Sequence, residues 1–217
     1  MRMHLSSYGI GNADPKEILN GGVKVALICN SRDYARSDVT EQERQAGDGA
    51  AAAELRKLGL QPTQIDLREY KNRETDLEAT LRKYDFIWVV GGNTFVLMQA
   101  VRISGFDRVL TKLLKEDAVA YGGYSAGICL LGPTLKGLDI VDDAQAILLG
   151  ETAPLGSWEG LGILSYTPLP HYKSNHPESS AVDASVDYFL RSGAPFRVMQ
   201  DGDVITITNS GETFTPA

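Results

Sequence analysis

Gly123-Tyr124-Ser125-Ala126-Gly127 spells G-x-S-x-G between two apolar stretches, residues 118–121 and 128–131. In a strand–turn–helix setting this pentapeptide forces the serine into a strained backbone conformation. The glycines on either side let strand and helix approach without Cβ clashes. Oγ then projects above the sheet edge, and the Ala126 amide at the helix N-terminus faces a developing oxyanion. The chemistry implied is nucleophilic attack on an acyl carbon. The same five residues also fit a plain glycine-rich turn whose serine caps a helix. A second glycine turn, Gly91-Gly92-Asn93-Thr94, follows the apolar run 86–90. Its amides are candidates for the second oxyanion donor, with Asn93 or Thr94 capping the next helix. A phosphate loop would need a longer glycine loop with a lysine, or G-x-G-x-x-G, and neither is present.

A serine nucleophile needs a base. Of the histidines, His4 falls in a candidate first strand and reads as structural. His171 ends a strand after Thr167-Pro168-Leu169-Pro170, a rigid way to present a base. His176 reads as a loop or cap residue. An orienting acid between serine and histidine is available at Asp139, Asp142, Asp143, Glu151 or Glu159, and spacing alone does not choose among them. The acids 139–143 are also placed to hold a substrate's α-ammonium. Cys129, one helical turn past Ser125, reads as a core thiol.

These residues must be held by the elements around them. Residues 23–29, 60–67, 86–90 and 118–121 read as buried strands. Residues 40–58, 74–83, 95–101 and 106–114 read as helices between them, the last with one apolar face at i, i+3, i+4, i+7 and i+8. Gly59 is the expected stop of the first helix, and residues 30–38 form a polar loop. After residue 132 the pattern loosens into an irregular excursion, with a short strand candidate at 146–149. Residues 162–169 read as a strand, 179–191 as an amphipathic helix, and 196–199, 204–208 and 212–215 as strand and hairpin material. Alternating strands and helices imply an α/β three-layer sandwich with a mostly parallel sheet, carrying its site at the carboxyl ends of the strands.

Composition agrees with an ordinary globular protein. The chain has 217 residues, 43% hydrophobic and 23% charged, and reads as one domain over 1–217. Acids outnumber lysine plus arginine 28 to 21, a net charge of −7, which disfavours nucleic-acid or anionic-membrane surfaces. No apolar run reaches the ~18 residues of a membrane span. No leader pattern opens the sequence, and its two cysteines suggest neither a zinc site nor a disulfide framework. A cytoplasmic location is expected.

The segments VVGGNTFVLMQAV, AYGGYSAGICLLGPT, PLPHYKSN and QDGDVITI together resemble the dipeptidase E family of serine peptidases, within the class I glutamine-amidotransferase-like fold. The resemblance implies Ser125 as nucleophile, His171 as base, and Gly92 and Ala126 as oxyanion donors. It places the acid shortly after Pro133, where Asp139 stands, with Asp142 or Asp143 as alternatives; some relatives use a glutamate. Aspartyl dipeptidases of the family carry an arginine soon after the histidine, whereas here none occurs before Arg191. Lys173 is the only nearby cation, so Lys173, Asn93 and Asp142 stand as candidate substrate contacts. The expected protein is a monomeric or homodimeric hydrolase of small peptides using an acyl-enzyme and no metal or cofactor. The alternatives are an inert or regulatory binding module, or a cyanophycinase-like hydrolase of another acidic peptide. An amidotransferase-type glutaminase is disfavoured because that chemistry uses cysteine at the elbow.

Overall fold

The computed structural model describes residues 1–34 and 40–217; the remainder of the expected polar loop at 30–38 lies outside the described residues. In chain order the elements are β1 (Met3–Ser6), β2 (Lys24–Ile28), α1 (Glu41–Lys57), β3 (Gln61–Gln64), α2 (Glu74–Leu81), β4 (Phe86–Val89), α3 (Thr94–Ser104), α4 (Phe106–Lys115), β5 (Ala120–Tyr124) and α5 (Ala126–Cys129). They continue as β6 (Thr167–Leu169), α6 (Ser179–Ser192), β7 (Phe196–Val198), β8 (Val204–Thr208) and β9 (Gly211–Thr215). Seven strands form one sheet in the order β3-β2-β4-β5-β1-β8-β9. The first five run parallel, and β8 and β9 are antiparallel at one edge. The expected mostly parallel α/β sandwich is therefore present.

Side-chain alternation explains the layers. Val25, Leu27, Phe86 and Trp88 point to one face and pack with Ala51, Ala52 and Leu55 of α1. Ala26, Ile28, Ile87 and Val89 point to the other, under the apolar residues of α2, α3, α4 and α6. Helix α1 starts where a capping box forms: the Thr40 hydroxyl accepts from the Glu43 amide, and the Glu43 carboxylate accepts from the Thr40 amide. Helix α3 is capped by Asn93, whose Oδ1 accepts from the Phe95 and Val96 amides.

Two local expectations need correction. Residues 146–149 form no strand; Leu148 makes only an isolated bridge to Tyr34. Of residues 162–169 only Thr167–Leu169 is strand, and it leaves the main sheet to pair in parallel with β7, Leu169 opposite Val198. That small two-stranded sheet matters below, because His171 and Asp201, just past the ends of its two strands, are in contact.

Candidate active site

Ser125 caps α5 with φ 51° and ψ −121°, a conformation that costs a non-glycine residue about 1–3 kcal/mol. The packing imposes it. A Cβ on Gly123 would lie 2.5 Å from the Val89 carbonyl oxygen and one on Gly127 only 2.3 Å from it, so the elbow is pressed onto β4 as only glycine allows. Ser125 Oγ makes no hydrogen bond with a described residue and opens to a cleft of about 330 Å³.

The Gly91-Gly92 turn lies across from it. Gly92 has φ 149°, and a Cβ there would meet the Ser31 carbonyl oxygen at 2.7 Å. Ser31 fixes the turn: its carbonyl accepts from the Asn93 amide at 2.9 Å, and its hydroxyl donates to the Gly91 carbonyl at 2.9 Å. The Arg32 Nε also donates to Gly91 O, at 3.1 Å. Neither the Gly92 nor the Ala126 amide is used in a hydrogen bond with any described residue, so both remain available as donors.

His171 follows β6 with φ 63° and is 2% exposed. Its Nδ1 lies 2.7 Å from Asp201 Oδ1. The pairing comes from topology: β6 and β7 run parallel and in register, and residues just past their ends meet. The Met199 amide donates to Leu169 O and the Tyr172 amide to Met199 O, extending the ladder to the site. Ser7, just past β1, links the two sides. Its hydroxyl accepts from the His171 amide at 2.9 Å and donates to Asp201 Oδ1 at 2.9 Å. Burial lowers the His171 pKa below its ordinary value, Asp201 opposes that shift, and the neighbouring His176 adds to it.

The carboxylate that contacts His171 is therefore none of the acids expected between Ser125 and His171. Asp139 is exposed and accepts from the Gly137 amide at 2.9 Å, away from the imidazole. Asp143 is likewise exposed, accepting from Gln145 N. Asp142 lies near the serine but on the Thr94 amide, at 2.9 Å. Glu151 pairs with Lys71, and Glu159 meets its neighbours through its backbone, its carbonyl accepting from Arg102 and its amide donating to Ser157 Oγ. Two proposed substrate contacts also change. Asn93 is 3% exposed, with Oδ1 spent on the cap and Nδ2 donating to Asp143 O. Lys173 is exposed, sits over the Tyr172 ring at 5.1 Å, and does not line the cleft. The cations that do line it are Arg32 and Arg44. Cys129 is buried in the core as expected.

Residues 44–214 match Peptidase family S51. The chain belongs to that family. Among its relatives, the uncharacterized peptidase Lin0382 of Listeria innocua serovar 6a is 30% identical over 169 residues, 73% of this chain and 75% of that protein. The uncharacterized peptidase Lmo0363 of Listeria monocytogenes serovar 1/2a is 32% identical over 123 residues, 55% of each chain. Among solved structures, a protein from Listeria monocytogenes EGD-e described as a candidate peptidase E superposes with a TM-score of 0.73 at 21% identity, over 100% of this chain and 98% of that one. A peptidase from an acI-B1 Actinobacterium gives 0.68 at 13% identity, over 100% and 87%. S51 membership makes this chain a serine peptidase of the dipeptidase E type. No helix among the described residues is long and apolar enough to cross a membrane.

Sequence reasoning missed Asp201, Ser7 and the two cleft arginines. The available signal for Asp201 was that 196–199, like 167–170, is a short strand ending at a titratable residue. His176, read as a loop or cap residue, accepts from the Glu178 amide through Nδ1 at 3.3 Å, and its ring stacks on His171 at 3.7 Å and 8°. His171, His176 and Glu178 offer metal-ligating atoms within 4.8 Å of one another. Stacked parallel rings, however, aim their nitrogen lone pairs side by side instead of at one ion, so this S51 site is arranged for stacking. A larger depression of about 540 Å³, walled by Arg102, Asp107, Arg108 and Lys112, holds no serine, cysteine or histidine.

Proposed function

We propose that Ser125, His171 and Asp201 are the catalytic triad of a small-peptide hydrolase, with the amides of Gly92 and Ala126 as its oxyanion donors. The observation that carries this reading is the His171–Asp201 contact at 2.7 Å on one wall of a cleft that Ser125 shares. A carboxylate only accepts, so Nδ1 carries the proton and Nε2 keeps its lone pair. Burial keeps the ring neutral near pH 7. Substrate binding draws Ser125 Oγ to Nε2, a bond that is commonly loose before the Michaelis complex forms.

His171 takes the hydroxyl proton as Oγ bonds to the scissile carbonyl carbon, and the negative oxygen settles between the two amides. The imidazolium then protonates the leaving amine as the C–N bond breaks, leaving an acyl-enzyme. Water, deprotonated by the same nitrogen, releases the acid and restores the serine. Asp201 holds the tautomer and stabilises the imidazolium without being protonated.

A strict N-terminal aspartate requirement is not part of this reading. Lys173 lies outside the cleft, and Arg32 donates to Gly91 O, Tyr124 Oη and Asp48, while Arg44 is held by Asp33 and Glu41. These guanidinium groups give the front cleft a cationic wall but are anchored to the chain. The test is covalent labelling by a fluorophosphonate read by intact mass, with hydrolysis of Asp-Leu, Glu-Leu, Lys-Leu and Ala-Leu. One adduct on wild type, absent in Ser125→Ala and strongly reduced in His171→Ala, is expected. An unlabelled wild type that cleaves nothing would favour an inert scaffold.

A further inference from the structure

One wall of the front cleft takes no part in the proton transfers above. Tyr8 lines it beside Ser125, His171 and His176 and is 55% exposed. Its backbone is fixed on both sides. The Ser6 hydroxyl donates to the Gly9 carbonyl at 2.6 Å, and the Ser7 amide donates to the Asp203 carbonyl at 3.1 Å. The Ser7 hydroxyl is the one shared by His171 and Asp201. Gly9 completes the turn in the left-handed region, at φ 55°. The Tyr8 ring lies 5.9 Å from Tyr124, 5.9 Å from His171 and 5.6 Å from His176, along the edge of the stacked histidine pair. A single exposed aromatic needs no explanation, but a continuous group of rings on a fixed backbone is preorganised for an apolar partner. Tyr124 and His171 are buried, so the face open to the cleft belongs to Tyr8 and the half-buried His176.

The direction of the reaction assigns this wall to one end of the substrate. The leaving nitrogen takes its proton from His171 Nε2 and must come within about 3 Å of it. The leaving residue's side chain begins about 2.5 Å beyond that nitrogen, hence within about 6 Å of Nε2. It therefore starts alongside the rings that surround His171, whereas the acyl carbon and its oxygen face Ser125 and the Gly92 and Ala126 amides. Charge narrows the choice. Glu178 lies 3.9 Å from His171 Nε2 and 3.9 Å from His176 Nδ1, which disfavours an acidic side chain there. Arg32 and Arg44 on the same cleft disfavour a basic one. Aromatic and large aliphatic side chains gain instead from offset or edge-on contact with the rings. We infer that Tyr8 and His176 determine specificity for the leaving residue, the one on the amine side of the cleaved bond, and select an aromatic or large aliphatic side chain. This rests on the Ser125 reading above and deepens it.

Dipeptides that share a first residue share one acyl-enzyme, so differences in kcat/KM among them report the leaving residue alone. Dipeptides with Asp, Glu, Lys or Ala first and Phe, Leu, Ala, Glu or Lys second are competed in one mixture per first residue and read by mass spectrometry. For each first residue that is cleaved, Phe and Leu should leave at least about tenfold faster than Ala, and Glu and Lys no faster than Ala. Tyr8→Ala should bring the Phe-to-Ala ratio to within about threefold. Tyr8→Phe should keep the ratio, because the ring and not the hydroxyl makes the contacts. His176→Ala should lower it at least about threefold. Equal rates for Phe and Ala in wild type overturn the assignment. So does a Glu or Lys form that outruns Phe, or a Phe preference that survives Tyr8→Ala. Failure of the Ser125 reading would look different: wild type would neither take the fluorophosphonate nor cleave any dipeptide. Calorimetric titration of the same dipeptides then judges the wall by itself, and binding of the Phe forms no tighter than the Ala forms overturns it.

Discussion

At the residue scale the decisive contact is His171 Nδ1 with Asp201 Oδ1. Asp201→Asn should leave the imidazole in the wrong tautomer and lower kcat about 10⁴-fold, as in analogous triads. Asp139→Asn, which changes only an exposed turn on the Gly137 amide, should stay within about twofold of wild type. Peptide hydrolysis rates for the two variants check this directly, and a reversed ranking would remove Asp201 from the triad. The same contact sets a pH dependence. In the proposed triad the base works as neutral imidazole, so kcat/KM should fall on the acid side with a midpoint below His171's unperturbed value of 6.5. Asp201 opposes the downward shift, so its removal should move that acid limb lower still. A limb that stays put or moves upward would contradict the assignment.

Among the elements, the turn after β4 carries two separable jobs. Gly92 offers its amide from a backbone at φ 149° with Ser31 packed against it. Gly92→Ala should therefore displace that donor and reduce kcat by about 10²–10³, with KM little changed. Asn93 instead caps α3. Asn93→Ala should cost about 1 kcal/mol in urea unfolding, and a loss of activity far beyond that loss of folded protein would restore it as a substrate contact. The parallel pairing of β6 with β7 does for His171 and Asp201 what the G-x-S-x-G turn does for Ser125. It brings the chain just past each strand end to the same edge, and Ser7 beyond β1 ties both to the main sheet.

For the whole molecule, the buried ionisable groups pull stability in opposite directions with pH. His4, buried with Nε2 on the Ile10 carbonyl, and His171 both have pKa values lowered from 6.5, burial being the largest cause. Their contribution is present above 6.5 and is lost as pH falls through the lowered folded values. Asp142 has the reverse sign. Its carboxyl is raised from 3.8 to about 6, so its contribution is present below 3.8 and lost as pH rises through about 6. At pH 8 the wild type therefore holds a buried charge that Asp142→Asn removes. Urea midpoints should show Asp142→Asn more stable than wild type at pH 8 and equal to it near pH 4. A destabilised Asp142→Asn at pH 8 would mean that the carboxylate already has a partner in the resting protein.

The layers, the elbow and the glycine turn were legible in sequence because each depends on local chemistry. Strand alternation around Val25–Cys29 and Phe86–Val90, glycines spaced about Ser125, and a capping residue before α3 act over a few residues, and the family resemblance rests on the same segments. What sequence order could not supply was which acid faces His171. Asp139, Asp142 and Asp143 lie between serine and histidine along the chain, yet Asp201, 30 residues beyond the base, is the one in contact. Likewise Arg32 reached the cleft from the end of β2, and Tyr8, Tyr124 and His176 came together from three separate segments. The reason is physical: a parallel sheet gathers the carboxyl ends of strands distant in sequence to one edge, and only the strand order decides which of them become neighbours.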